Sequence, residues 1–149
     1  MDIKDKIILP YYKNKSGKTG VEIDLKFLSG LTLISGESGV GKTYFCRKIR
    51  DLAAERQDIQ LVDYSTSKVM LNMILNKNVK DTVIIIDNGD IVLTKEHREY
   101  IKHDFDNQYI IVTRDVTGLF RGPNNVATMV RKGNTITLEY ILLENLVIG

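Results

Sequence analysis

The chain has 149 residues, 43% of them hydrophobic, enough for one domain with a buried core and too few for a second of comparable size. Its formal charge of +2 and pI near 8.6 come from interspersed acids and bases, so nucleic-acid binding is not indicated. The single cysteine, Cys46, excludes an internal disulfide and a cysteine-based zinc site, and no apolar stretch reaches the length of a membrane span. The N-terminus, Met1-Asp2-Ile3-Lys4-Asp5, lacks the apolar core of a signal peptide, which predicts a cytoplasmic protein.

In chain order, Asp5 to Leu9 and Val21 to Leu25 are short strand-like runs joined by a polar segment carrying Lys13, Lys15 and Lys18, which predicts an N-terminal hairpin with a solvated turn. Leu31-Thr32-Leu33-Ile34 is an apolar, β-branched run of the kind that forms a buried strand. Directly after it comes Gly36-Glu37-Ser38-Gly39-Val40-Gly41-Lys42-Thr43, which satisfies every fixed position of G-x-x-x-x-G-K-[ST]. Three glycines let backbone N–H groups close around an anion where side chains would block the approach. In that pattern Lys42 is expected to reach the outer phosphates and the Thr43 hydroxyl to ligate a magnesium ion bridging them. A helix is expected next, with Phe45, Ile49, Leu52 and Ala53 at helical spacing through Gln57 and Cys46 buried. Gly17-Lys18-Thr19 repeats the last three letters of the motif, but Tyr12 stands in the place of the first glycine.

Ile59 to Asp63 reads as a strand, and Ser65 can cap a helix whose Val69, Met70, Met73 and Ile74 share a face. Thr82-Val83-Ile84-Ile85-Ile86-Asp87 is a buried strand running into an acid. Lys95 to Phe105 is a weaker helix with Ile101 and Phe105 inward and His97, Arg98 and Glu99 in solvent. Tyr109 to Thr113 is another buried strand, Arg114 to Pro123 a loop, and the remainder an alternating hairpin turning at Gly133-Asn134. Strands alternating with helices predict an α/β fold: one domain over residues 1–149, with a mainly parallel sheet flanked by helices and β-hairpins at the N- and C-terminal ends. Asp87 and Asp63 both fall at the carboxyl edge of that sheet, where ligands of open α/β folds bind. His97 and His103 are six apart, a spacing that does not place them on one helix face, so a metal pair is not expected.

Gly36 to Thr43 and Val83 to Asp87 resemble the Walker A and Walker B motifs of P-loop NTPases, and the resemblance extends over residues 21 to 115. The entry segment, with its glycine turn at Gly30, is similar to ATP-binding-cassette and AAA-type ATPases. The resemblance implies a sheet in which the Tyr109 to Thr113 strand lies between the two motif strands and ends in a polar sensor, Thr113. It also implies ATP and Mg2+ as ligands, with Thr43 and Asp87 at the metal. Hydrolytic members usually follow the aspartate with a glutamate that activates water. Here that residue is Asn88, whose amide cannot accept the proton. Asp90 is the available substitute, because Gly89 permits a tight turn. No cassette signature or C-terminal helical lid follows, which makes this a minimal relative.

Arg114 and Arg121 flank the loop after the sensor strand, where an arginine can stabilise a γ-phosphate; Arg114, adjoining Thr113, is the better placed. Tyr11 and Tyr12 are available to stack on a base or to pack in the core. The leading expectation is a Mg-ATP-binding domain with slow hydrolysis coupled to a protein partner or homo-oligomer. A small-molecule or nucleotide kinase, with Asp63 orienting the acceptor, and a non-catalytic nucleotide-sensing module are the alternatives. Asn76-Lys77-Asn78 lacks the acid that guanine recognition needs, which leaves ATP by elimination.

Overall fold

The computed structural model describes residues 6–15, 20–35, 41–76, 78–122 and 125–141. In chain order the elements are β1 (Tyr11–Lys15), β2 (Glu22–Lys26), β3 (Leu31–Ser35), α1 (Lys42–Glu55), β4 (Ile59–Val62), α2 (Ser67–Leu75), β5 (Val83–Ile86), α3 (Gly89–Val92), α4 (Lys95–Lys102), β6 (Gln108–Val112), β7 (Val126–Lys132) and β8 (Thr135–Tyr140). β5 and β6 are buried at every position and β3 at all but Ser35, so these strands need cover on both faces. On one face Phe45, Cys46 and Ile49 of α1 pack with Ile34, Ile59, Val83, Ile85 and Ile110. On the other, Leu71 and Ile74 of α2 and Ile101 of α4 pack with Leu33, Val62, Ile84, Ile86 and Ile111.

The expected mainly parallel sheet flanked by helices does not form. The strands make one mixed sheet of eight in the order β1-β2-β8-β7-β3-β6-β5-β4, curled into a half-barrel, and only 28% of the described residues are helical. Parallel pairing covered by helices is confined to β3, β6, β5 and β4. The two antiparallel hairpins, β1–β2 and β7–β8, extend that sheet instead of flanking it. β7 joins β3 in parallel, and β2 joins β8 in parallel through Glu22↔Thr135 and Ile23↔Ile136. The physical cause is the one-sided patterning of this half: β8 buries only Ile136 fully, and such a strand needs a core on one face and no helix on the other. Within the sheet, β6 does lie between β3 and β5.

Other boundaries moved for local reasons. Among the described residues the first strand is Tyr11–Lys15; of the expected run Asp5 to Leu9, Asp5 lies outside the described residues and the rest is not strand. The N–H groups of Ile8 and Leu9 donate to Gln108 Oε1 at 2.8 and 2.7 Å, and Gln108 Nε2 donates to the Leu9 carbonyl at 2.9 Å. A buried glutamine side chain thus does for this segment what a neighbouring strand would. In α2 the inward face is Leu71 and Ile74, while Val69 and Met73 are 68% and 40% exposed.

His97 is a cap, not a freely solvated residue. Thr94 Oγ1 accepts from the His97 N–H at 3.2 Å, and His97 Nδ1 accepts from the Thr94 N–H at 3.0 Å, a reciprocal capping box at the start of α4. Burial holds the imidazole below its ordinary pKa, and the cap requires Nδ1 unprotonated. Above about pH 7 the ring is neutral in both states; below the unfolded value near 6.5 the unfolded chain takes up a proton that the folded chain resists, so stability falls with falling pH. The urea midpoint is therefore expected to drop between about pH 7 and 5, and His97→Gln, which can keep the box, should flatten part of that slope.

Candidate functional site

The start of α1 and the carboxyl ends of β5 and β6 converge on a cavity of about 120 Å3, lined by Lys42, Thr43, Asp87, Asn88, Asp90, Val112, Thr113 and Arg114. Gly36, Glu37, Ser38, Gly39 and Val40 lie outside the described residues, so the glycine motif is described from Gly41 onward. Gly41 has φ +101°, and a Cβ there would sit 2.8 Å from Ile136 Cδ1 and 3.4 Å from Met129 Sδ. Only glycine lets α1 begin so close to the β7–β8 hairpin. The helix then starts at Lys42 and brings Lys42 and Thr43 to the cavity.

Asp87 follows β5, its N–H bonded to the Val62 carbonyl at 3.0 Å. From α1 the buried Cys46 thiol hydrogen-bonds the Asp87 carboxylate. Burial, then the charge and hydrogen bond of Asp87, push the thiol up to about 12, so it stays protonated. Asn88 turns the chain in the left-handed region (φ 54°, ψ 51°), which asparagine tolerates, and starts the short helix α3.

Asp90, the expected substitute base, is hydrogen-bonded at both carboxylate oxygens. Oδ1 accepts from Thr113 Oγ1 at 2.9 Å and from the Asp115 N–H at 2.7 Å, and Oδ2 accepts from the Arg114 N–H at 3.1 Å. Burial raises its pKa, but the Arg114 and Asp115 amides, the Thr113 hydroxyl and the Arg98 charge outweigh that and hold it below the usual carboxylate range. A carboxylate so stabilised is a poor proton acceptor. Arg98 on α4 completes the fastening, donating from Nη1 to the carbonyls of Asp115 at 2.8 Å and Thr117 at 3.0 Å. The sequence Asn88-Gly89-Asp90 carried a signal for this role, since an acid in a turn commonly accepts backbone N–H groups.

Other expected residues are committed elsewhere. Arg121 donates to the carbonyls of Ile101 at 2.7 Å, Lys102 at 3.2 Å and Asp104 at 2.8 Å and stacks on Phe105 at 4.3 Å, closing the end of α4 away from the cavity. Asp63 accepts from Ser65 Oγ at 2.6 Å and from the Ser65 and Thr66 N–H groups, and meets Arg50 at 3.3 Å; the Ser65 bond is the main cause of its lowered pKa. Tyr12 is buried edge-on against Phe45, 5.9 Å between centroids, while Tyr11 is 60% exposed. Lys13 pairs with Glu22 at 3.4 Å.

Among the described residues no group of three or more His, Cys, Asp or Glu side chains is placed to hold a metal ion. One hydroxyl and one carboxylate, Thr43 and Asp87, do share the cavity. That set suits Mg2+, which keeps waters and substrate phosphates as most of its ligands. No protein-family model matches the chain, and no curated protein is significantly similar to it.

The cavity wall rests on a close approach at Gly89, where a Cβ would lie 2.9 Å from Thr113 Cβ and 3.0 Å from Ile111 Cγ2. Glycine to alanine within a helix normally stabilises by up to about 1 kcal/mol. Gly89→Ala should instead destabilise by about 1–3 kcal/mol through overpacking, read as a lower urea midpoint at unchanged slope.

Proposed function

We propose that this chain binds Mg-ATP as a minimal P-loop NTPase with slow hydrolysis. The observation that carries the reading is the meeting of Lys42 and Thr43, the last two residues of the glycine motif, with Asp87 in one cavity at the carboxyl edge of the sheet. Lys42 supplies a fixed positive charge to the outer phosphates. Thr43 and Asp87 would hold magnesium, which when bound neutralises charge across the β- and γ-oxygens. The cavity suits the outer phosphates and the metal, and the base and ribose would lie outside it.

Slow turnover follows from the groups around the attacking position. The Asn88 amide accepts no proton, and both Asp90 oxygens are occupied by donors. The same observation favours the second reading, a nucleotide-sensing module that retains ATP. The kinase alternative has less support, because Asp63 and Arg121 are engaged away from the cavity. A protein partner or second copy of the chain belongs to the proposal, supported by the exposed Val69, Met73 and Ile91.

Calorimetric titration with Mg-ATP should show binding that Lys42→Ala weakens by about tenfold or more, equivalent to about 1.4 kcal/mol. Phosphate release that is slow in wild type and lost in Lys42→Ala supports the ATPase; binding without release supports the sensing module. Absence of Mg-ATP binding by the wild type overturns both.

A further inference from the structure

We infer that the chain forms a twofold dimer through β4, the last strand at one end of the sheet, paired antiparallel with the partner's β4 so that Gln60 meets Gln60 of the partner subunit on the axis. This chooses between the two kinds of partner left open above; it rests on the partner half of that reading and not on nucleotide binding.

Among the described residues no strand pairs with the outer edge of β4. Its inner edge is fixed by parallel pairing with β5: the Val83 N–H donates to the Asp58 carbonyl at 2.7 Å and the Asp87 N–H to the Val62 carbonyl at 3.0 Å. Backbone groups alternate between the two edges of a strand, so those of Asp58, Gln60 and Val62 face β5 and those of Ile59, Leu61 and Asp63 face outward. Asp63 is taken by its own turn, its N–H on Thr66 Oγ1 at 3.1 Å and its carbonyl accepting the Thr66 N–H at 3.2 Å. The outward N–H and carbonyl groups of Ile59 and Leu61 remain. An antiparallel copy with Ile59 opposite the partner's Leu61 satisfies all four, and that register is generated by a twofold axis through Gln60. Centred on Leu61 instead, the pairing would set Ile59 against the partner's Asp63, which is engaged; centred on Ile59, it would set Leu61 against the partner's Gln57, beyond the end of the strand.

Native sheet edges are commonly guarded by a charge, a proline or a bulge, and Ile59 to Val62 carries neither charge nor proline and pairs with β5 in unbroken register. A twofold interface presents each charge to its own copy, so its centre has to be free of them. Charges begin at the two ends of the strand, and each acid there has an arginine of its own chain: Arg56 holds Asp58 through bonds of 2.9 and 2.7 Å, and Arg50 meets Asp63 at 3.3 Å. In this register Asp58 falls opposite the partner's Val62 and Asp63 opposite the partner's Gln57, so no like charges face each other. Gln60 points to the α2 side of the sheet, since Ile59 and Leu61 belong to the α1-side core and Val62 to the other. There α2 turns Asn72, Leu75 and Asn76 toward α4 and leaves Val69 and Met73 exposed. Its one charge, Lys68, lines a cavity with Val92 and His97, also away from the open edge. The uncharged strand edge and this apolar part of α2 have the composition of an interface centre.

The test is sedimentation equilibrium from about 1 to about 500 μM, with circular dichroism to establish folding, on wild type, Gln60→Glu, Gln60→Lys, an equimolar mixture of those two variants, and Asn72→Glu. Wild type should dimerise with a dissociation constant in the micromolar range, as suits an interface of modest area. Gln60→Glu and Gln60→Lys should each weaken the dimer by about tenfold or more, because each sets two like charges against one another on the axis. The mixture should dimerise at least as tightly as wild type. Asn72→Glu adds the same charge on the flank facing α4 and should change the dissociation constant by less than about twofold. Wild type that stays monomeric throughout overturns the inference and leaves the edge to a different chain. Dimers that persist unweakened in both Gln60 variants, that the mixture fails to restore, or that Asn72→Glu disrupts equally, lie on another surface and overturn it as well. Mg-ATP titration of the same samples bears on the nucleotide reading alone, so a dimer that passes these tests without binding Mg-ATP keeps the pairing and loses the nucleotide site.

Discussion

The two-sided pairing of β3 is the constraint on which the rest of the structure depends. One edge meets β6 from Leu31↔Tyr109 to Ile34↔Val112, and the other meets β7 from Leu33↔Val126 to Ser35↔Thr128. Its side chains are divided between the two cores, Ile34 toward the α1 side and Leu31 and Leu33 toward the α2 and α4 side. A slip of one residue would exchange these faces, so the register is held by the whole core. Asn125 adds a polar fastening at the start of the strand, donating from its amide to the Leu31 carbonyl and accepting the Leu33 N–H on its own carbonyl at 2.8 Å. Ser35 is thereby placed where the chain enters the glycine motif, opposite the ends of β5 and β6.

What was legible in the sequence was whatever local patterning alone decides. Val83 to Ile86 and Tyr109 to Val112 are strands because uninterrupted β-branched and aromatic runs have no solvent face to offer. The turn at Gly133-Asn134 and the start of a helix at Lys95 follow from residue types within one turn. What was not legible depended on partners distant in sequence. Nothing in Ile8 and Leu9 announces that the Gln108 side chain will hold them, or in Ile23 that it will pair with Ile136. An alternating hairpin reads the same whether it lies beside a sheet or within it, and that ambiguity hid the mixed half-barrel. The outward Val69 and Met73 of α2 show the same limit, since apolar spacing names a face without naming what covers it.

The candidate site shows which residues the fold brings together and how differently each is engaged. Lys42, Thr43, Asp87, Asp90, Thr113 and Arg114 all line the same cavity. Their chemical availability differs because each donor hydrogen can be spent once and each acceptor has few lone pairs. Asp90 spends both oxygens on the segment from Thr113 to Asp115, Thr113 spends its hydrogen on Asp90, and Arg121 spends its fork on the end of α4. Such expenditure is a property of the folded geometry. Cys46 illustrates the converse: chosen in sequence only as a buried small residue, it proves to be a donor to Asp87.

The contact of Gly41 with Ile136 and Met129 also has a bearing on the order of folding. The parallel run from β3 to β6 can assemble from a contiguous stretch of chain, but the surface against which α1 begins belongs to a hairpin made much later in synthesis. β2 waits on that same hairpin, because its partner is β8. Long-range pairings of this kind form late and slowly, after the entropy of closing a large loop has been met. During synthesis, therefore, Gly41 and the helix it starts emerge well before the ground they stand on, and the start of α1 is among the last parts of the molecule to acquire its final shape.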